Sequence, residues 1–239
     1  MNVTLNNFGD LRCRVVSDSN TTAERLLILC HGFGAPGHDL VDLAAALCHL
    51  DPSLSSKVAF IFPEAPLELD FPGFGEARAW WYLDLEAIER AQRTGIARSL
   101  AKERPEGLAQ AQTLLGDALT EILNHFNLGI EDTILGGFSQ GAMLTTDLAI
   151  HQERAPKALI VFSGNLLNDE RSLPKIAEQK NLDVFISHGR QDPILPFSGA
   201  KDLETAFLQG GSKVEFLPFD GGHTIPRGAI ERLAEKLSE

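Results

Sequence analysis

Thr133-Ile134-Leu135-Gly136-Gly137-Phe138-Ser139-Gln140-Gly141 is the stretch whose reading decides the fold. A short apolar run ends in two glycines, a serine sits between Gly137 and Gly141, and Ala142, Met143, Leu144, Leu148 and Ala149 continue as a helix-forming segment. Gly-x-Ser-x-Gly alone is a loose pattern. An apolar run before it and a helix after it are what a sharp strand-to-helix turn requires. Such a turn pushes the serine Oγ clear of the sheet. The glycines leave room where strand and helix crowd together, and the unpaired N–H groups of the helix start point toward developing negative charge.

Working outward, similar short runs rich in Val, Ile, Leu and Phe occupy residues 26–30, 58–62, 158–162, 184–187 and 214–217. Strands buried on both faces read this way. Between them Leu40, Leu43, Ala44 and Leu47 share one helical face, as do Leu108, Ala111, Leu115, Ala118, Ile122 and Phe126. Leu203, Ala206 and Phe207 form a shorter set, and Ile230, Leu233 and Leu237 close the chain. Alternating strands and helices predict one α/β domain over 1–239, with a mostly parallel sheet flanked by helices on both faces. Residues 63–104 break the rhythm. A loop rich in Pro, Gly and Phe leads into a charged stretch, and 83–104 reads either as a surface helix or as a small cap over a substrate entrance.

Acidic residues outnumber basic ones by 33 to 21, for a net charge of −12. That field opposes nucleic acids and anionic lipid surfaces. With 44% hydrophobic and 23% charged residues the composition is that of a folded protein. Cys13, Cys30 and Cys48 are odd in number and lack metal-binding spacing, so free thiols in a reducing, cytoplasmic compartment are expected, with no metal and no cofactor. The start, MNVTLNNFGD, carries neither a basic region nor an apolar core, and no apolar stretch approaches the ~20 residues that span a bilayer.

In open parallel sheets, sites gather beyond the carboxyl ends of the strands. Asp192 lies in the turn His188-Gly189-Arg190-Gln191-Asp192-Pro193, after the run 184–187. His223 lies in Phe219-Asp220-Gly221-Gly222-His223, after the last run. Ser139, Asp192 and His223 therefore stand in the order nucleophile, acid, base. The acid holds the imidazole's tautomer, and the imidazole takes the serine proton and returns it to the leaving group. Asp220 is a rival acid, but it is too close in sequence to His223 to orient it easily. His31 and His188 also follow strands and read as structural hydrogen-bonding groups; His38, His49, His125 and His151 read as surface residues. The backbone N–H of Gln140, next after the nucleophile, and that of Phe33, in Cys30-His31-Gly32-Phe33-Gly34, are the expected oxyanion donors. Trp80, Phe33 and Phe74 are candidate substrate contacts. The aromatic cluster of Phe71, Phe74, Trp80 and Trp81 either lines an acyl groove or packs against the sheet edge.

These motifs resemble the phospholipase/carboxylesterase family, which includes acyl-protein thioesterases and bacterial carboxylesterases. The resemblance rests on His31-Gly32-Phe33-Gly34, on Pro63-Glu64-Ala65-Pro66 with Arg78-Ala79-Trp80-Trp81, on Gly137-Phe138-Ser139-Gln140-Gly141, and on residues 188–196 with Gly222-His223. It covers nearly the whole chain. It implies an α/β-hydrolase without a large lid or any cofactor, acting on a small-molecule ester or thioester, and it supports the same triad and donors. Two places depart from the family pattern. Residues 83–104 form a longer connection than usual, and Ala35 follows Gly34 where many members carry an acidic residue.

Overall fold

Six apolar runs form six neighbouring strands of one eight-stranded sheet in the computed structural model, which describes residues 1–18, 22–70, 76–84, 93 and 100–239. The strands are β1 (Asn2–Phe8), β2 (Leu11–Ser17), β3 (Arg25–Cys30), β4 (Val58–Pro63), β7 (Thr133–Phe138), β8 (Ala158–Phe162), β9 (Asp183–Gly189) and β10 (Lys213–Phe219); β5 (Leu67–Glu68) and β6 (Arg78–Ala79) make a separate two-stranded ribbon. The order across the main sheet is β1-β2-β4-β3-β7-β8-β9-β10. The pairs from β4 through β3, β7, β8 and β9 to β10 are all parallel, and β1 and β2 add an antiparallel edge.

Register fixes where chemistry can happen. Cys30 pairs with Gly137, Phe138 with Phe162, Phe162 with Ser187, and Gly189 with Phe219. The carboxyl ends of β3, β7, β8, β9 and β10 are therefore level, and whatever follows them shares one rim.

Both faces of the sheet are covered. Leu26, Ile28, Leu135, Leu159, Val161, Val184 and Ile186 meet helices α3 (Leu108–Phe126), α4 (Gln140–Ile150), α5 (Asp169–Glu178) and α6 (Phe197–Gln209). The alternate residues Leu27, Leu29, Phe60, Ile160 and Phe185 meet α1 (Asp42–Leu50), the short α2 (Leu54–Lys57) and α7 (Arg227–Ser238). Burial on both sides explains why these strands read as continuous apolar runs. Helix α4 is buried along its whole length, so it lacks the polar stripe of a surface helix.

The β1–β2 hairpin was not legible as strands, because Asn2–Phe8 is an edge strand, solvent-exposed over most of its length and carrying no apolar run. Helix α5 carries no clear helical signal in the sequence either, since it is strongly polar and contains Pro174. Most of the 83–104 segment, and Phe71 and Phe74, lie outside the described residues. Its far end is tied to the start of α5: Asp169 N–H donates to Ala101 O at 2.7 Å, Asn168 N–H to Glu103 O at 3.1 Å, and Lys102 pairs with Asp169 at 2.7 Å. Among the described residues no helix is long and apolar enough to cross a membrane.

Candidate active site

Ser139 joins β7 to α4 with φ 55° and ψ −118°, a conformation that L-residues rarely adopt and that stores strain. Its N–H donates to Phe162 O at 2.9 Å. The turn is tight because α4 starts against the end of β3: a Cβ on Gly141 would lie 2.1 Å from Cys30 O, and one on Gly137 2.6 Å from the same atom. No side chain fits at either position, which is the physical content of the two glycines flanking the serine.

Asp192 sits in the turn after β9, and its side chain is inaccessible to solvent. Oδ1 accepts Ile194 N–H at 2.8 Å and Leu195 N–H at 2.9 Å. Oδ2 lies 2.6 Å from Nδ1 of His223. Burial pushes this carboxyl up, but the hydrogen bond and charge of His223, with the two N–H groups, outweigh it and hold Asp192 below the ordinary aspartate value.

His223 is delivered by a loop that folds back across the rim. Arg190 N–H donates to Phe219 O at 2.9 Å, Gln191 N–H to Gly221 O at 3.0 Å, and Ser163 Oγ to Thr224 O at 3.3 Å. The imidazole packs on the ring of Phe138, the residue before Ser139, with centroids 4.7 Å apart. Asp220, the rival acid, is largely exposed and faces Arg190.

The loop after β3 passes over the serine: a Cβ on Gly32 would lie 3.3 Å from Ser139 Cβ. Several bonds fix this loop. Gly34 N–H donates to Arg78 O at 2.8 Å, and Arg78 N–H to Ala35 O at 3.1 Å. His31 is buried. Its Nε2 accepts Ala65 N–H at 3.1 Å, which puts the proton on Nδ1, bonded to Gly32 O at 2.9 Å. Burial lowers its pKa, so it stays neutral in this structural role. Phe33 turns its ring onto Leu69, Ala77 and Ala79.

Gln140 opens α4, where the first N–H groups have no intrahelical partner. Its fully buried side chain grips the neighbouring tryptophan segment. Oε1 accepts Trp80 N–H at 2.9 Å, and Nε2 donates to Trp81 O at 2.8 Å. Trp80 Nε1–H in turn donates to His31 O at 3.0 Å. Both tryptophans are packed in the core, 2% and 1% exposed, so packing against the sheet accounts for their position.

A charged cluster beside the site was not picked out as functional from the sequence. Glu64, at the end of β4 and 3% exposed, meets Arg12, Arg14 at 2.6 Å and Arg78 at 3.0 Å. Burial opposes its ionisation, but hydrogen bonds from Arg14 and Arg12 and the charges of Arg78 and Arg12 win, and its pKa is lowered. Arg78 also donates to Ala65 O at 3.2 Å, so the cluster braces the loop that carries Phe33. The sequence signals for it are an acidic residue directly after an apolar run and the place of Glu64 and Arg78 in the motifs that carry the family resemblance.

The cysteines are free, Cys13 and Cys30 buried and Cys48 half-buried. Burial pushes the Cys13 thiol up to about 12. Among the described residues no group of three or more His, Cys, Asp or Glu side chains is arranged to hold a metal.

Comparison with known proteins places the fold. The phospholipase/carboxylesterase family model matches residues 11–239. An acyl-protein thioesterase 1 of Eremothecium gossypii is 31% identical over 209 residues, covering 85% of this chain and 82% of that protein. One from Kluyveromyces lactis is 29% identical over 195 residues, 80% of each. Among solved structures, esterase PE8 superposes with a TM-score of 0.76 at 27% identity, covering 94% of this chain and 96% of its own. A carboxylesterase from Mesorhizobium loti, at 14% identity and TM-score 0.74 over 100% and 99% of the two chains, shares the fold.

Proposed function

The chain belongs to the phospholipase/carboxylesterase family of α/β-hydrolases, and on that premise we propose that it hydrolyses carboxylic esters or thioesters through an acyl-enzyme on Ser139. His223 Nε2 takes the Ser139 proton as Oγ attacks the acyl carbonyl. Asp192 holds the imidazole by Nδ1 and stabilises the imidazolium. The carbonyl oxygen, now anionic, is received by the N–H groups of Phe33 and Gln140. Collapse expels the alcohol or thiol, which receives the proton from His223. Water, deprotonated by His223, then attacks the acyl-enzyme and releases the acid and free Ser139.

The observation that carries this reading is the 2.6 Å contact between His223 and Asp192, with the imidazole packed on Phe138, the residue before the serine in its strained strand-to-helix turn. The chain acts as one α/β-hydrolase domain. Phe33 and Phe74 are the candidate substrate contacts, and Trp80, buried, braces the loop that carries Phe33 through its bond to His31 O. Small to medium acyl esters are the first substrate choice. S-acylated proteins or peptides and lysophospholipids use the same chemistry, and the curated relatives' name, acyl-protein thioesterase 1, favours the thioester branch. The free thiols support work in the cytoplasm.

A series of p-nitrophenyl esters of rising acyl length, run beside one acyl-CoA, tests the proposal. Turnover that peaks at short to medium chains supports the esterase reading; preference for the thioester supports the other branch. No turnover of any member, together with no labelling by a fluorophosphonate, would point to a non-catalytic, ligand-binding relative.

A further inference from the structure

We propose that His188 is a positioning residue for the Asp192–His223 pair, its buried Nε2–H holding Leu195 O and so fixing the turn whose N–H groups grip the Asp192 carboxylate. The inference rests on the triad reading above. His188 is the penultimate residue of β9 and is fully buried. Its Nε2 lies 2.9 Å from Leu195 O and 3.3 Å from Asp192 Oδ2. Both neighbours are acceptors, so the proton sits on Nε2; the hydrogen bond goes to Leu195 O, and Asp192 Oδ2 is a close electrostatic neighbour. Nδ1 is buried and finds no partner among the described residues.

The carboxylate of Asp192 is held by three donors. Oδ1 receives Ile194 N–H and Leu195 N–H, Oδ2 receives His223, and the Leu195 peptide is itself held at its carbonyl by His188. Removal of His188 frees Leu195 O, and the turn that grips Oδ1 can shift and carry the carboxylate with it.

The packing keeps His188 in its neutral, single-donor form. The titratable groups facing it are Asp192 from its own turn and His223 from the loop after β10. From α6 it meets the Phe197 ring, centroids 6.1 Å apart, and Arg190 lies over that same ring at 5.3 Å. Burial, with the nearby His223, lowers the His188 pKa against the pull of Leu195 O and Asp192. A second cation beside the catalytic imidazolium is avoided while the hydrogen bond is kept.

The test compares His188→Met, which keeps volume and loses the donor, with His188→Gln, whose amide reaches the position of Nε2. Readouts are kcat and KM on a p-nitrophenyl ester and the low-field proton resonance of His223 Nδ1–H. In His188→Met, kcat should fall roughly 10- to 100-fold, as for a misplaced catalytic group, with KM nearly unchanged. The resonance should move, and His188→Gln should restore both. Where His188→Met does not fold, His188→Asn takes its place, because its amide reaches the position of Nδ1 instead. Wild-type kcat with an unmoved resonance in the donor-less variant overturns the proposal, as does a loss that glutamine fails to restore. His223→Ala runs alongside. If that variant keeps full activity, the triad reading itself falls; if it is inactive while His188→Met behaves as wild type, only the role of His188 falls.

Discussion

Nδ1 of His223 and Oδ2 of Asp192 stand 2.6 Å apart although the loops that carry them leave two different strands, β10 and β9. The carboxylate is wholly buried and the imidazole only slightly exposed, so the pair works in a place where water competes weakly. Asp192→Asn keeps the shape but replaces an acceptor for the Nδ1 proton by an amide that can present N–H instead. We expect kcat to drop about 10⁴-fold with KM little changed, the size of loss that follows from stabilising the wrong tautomer. Steady-state kinetics with the best p-nitrophenyl ester measure it, and a loss under tenfold would contradict the orienting role.

The strain at Ser139 makes a separate prediction. A residue at φ 55° and ψ −118° with a Cβ is held there by its surroundings. Both Ser139→Ala and Ser139→Gly should be inactive, but the glycine variant should be the more stable of the two by roughly 1 kcal/mol, because glycine adopts this backbone without a Cβ penalty. Thermal unfolding of the pair decides it. Equal stability would mean that the turn is not strained.

Gly189 tests the path of the loop that brings His223 home. A Cβ there would lie 2.3 Å from Gly222 O and 2.4 Å from Gly221 O. Gly189→Ala must push that loop off the rim, and kcat should fall by about 100-fold, the cost of moving a catalytic group by around an ångström. A wild-type kcat in a folded Gly189→Ala would show that the loop adapts without moving the histidine.

Glu64 governs behaviour in acid. Its pKa is lowered in the folded protein by Arg14, Arg12 and Arg78 against the effect of burial. A group with a depressed folded pKa adds stability that is fully present above its unfolded value, about 4.3 for glutamate, and is lost as pH falls through the folded value. Chemical unfolding measured from pH 7 to pH 3 should show wild type losing stability below about pH 5, with Glu64→Gln less stable at pH 7 and flatter over the acid range. Parallel curves would show that another carboxyl carries the acid sensitivity.

The parallel centre of the sheet was legible because strands buried on both faces carry uninterrupted apolar residues, as in 158–162 and 184–187. Register did the rest, since levelling Cys30, Gly137, Phe162 and Gly189 puts the segments that follow on one rim. Asp192 and His223 were found by their position after a strand, and the contact between them agrees with the order read from the chain. Less legible were groups whose role is set by partners far away in sequence. The side chain of Gln140 clasps a segment 60 residues upstream, and Glu64 gathers arginines from β2 and β6. No periodicity or local motif reports such contacts. The edge strand β1 was hidden for another reason: with little to bury, Asn2–Phe8 has no hydrophobic pattern to read.

The central claim is that Ser139 carries the acyl group. Treat the native protein with a fluorophosphonate, then locate the adduct by mass spectrometry of its peptides. One phosphonyl group on Ser139, absent from Ser139→Ala and greatly slowed in His223→Ala, is the predicted result. An adduct on another residue, or labelling of Ser139→Ala at the wild-type rate, would contradict it.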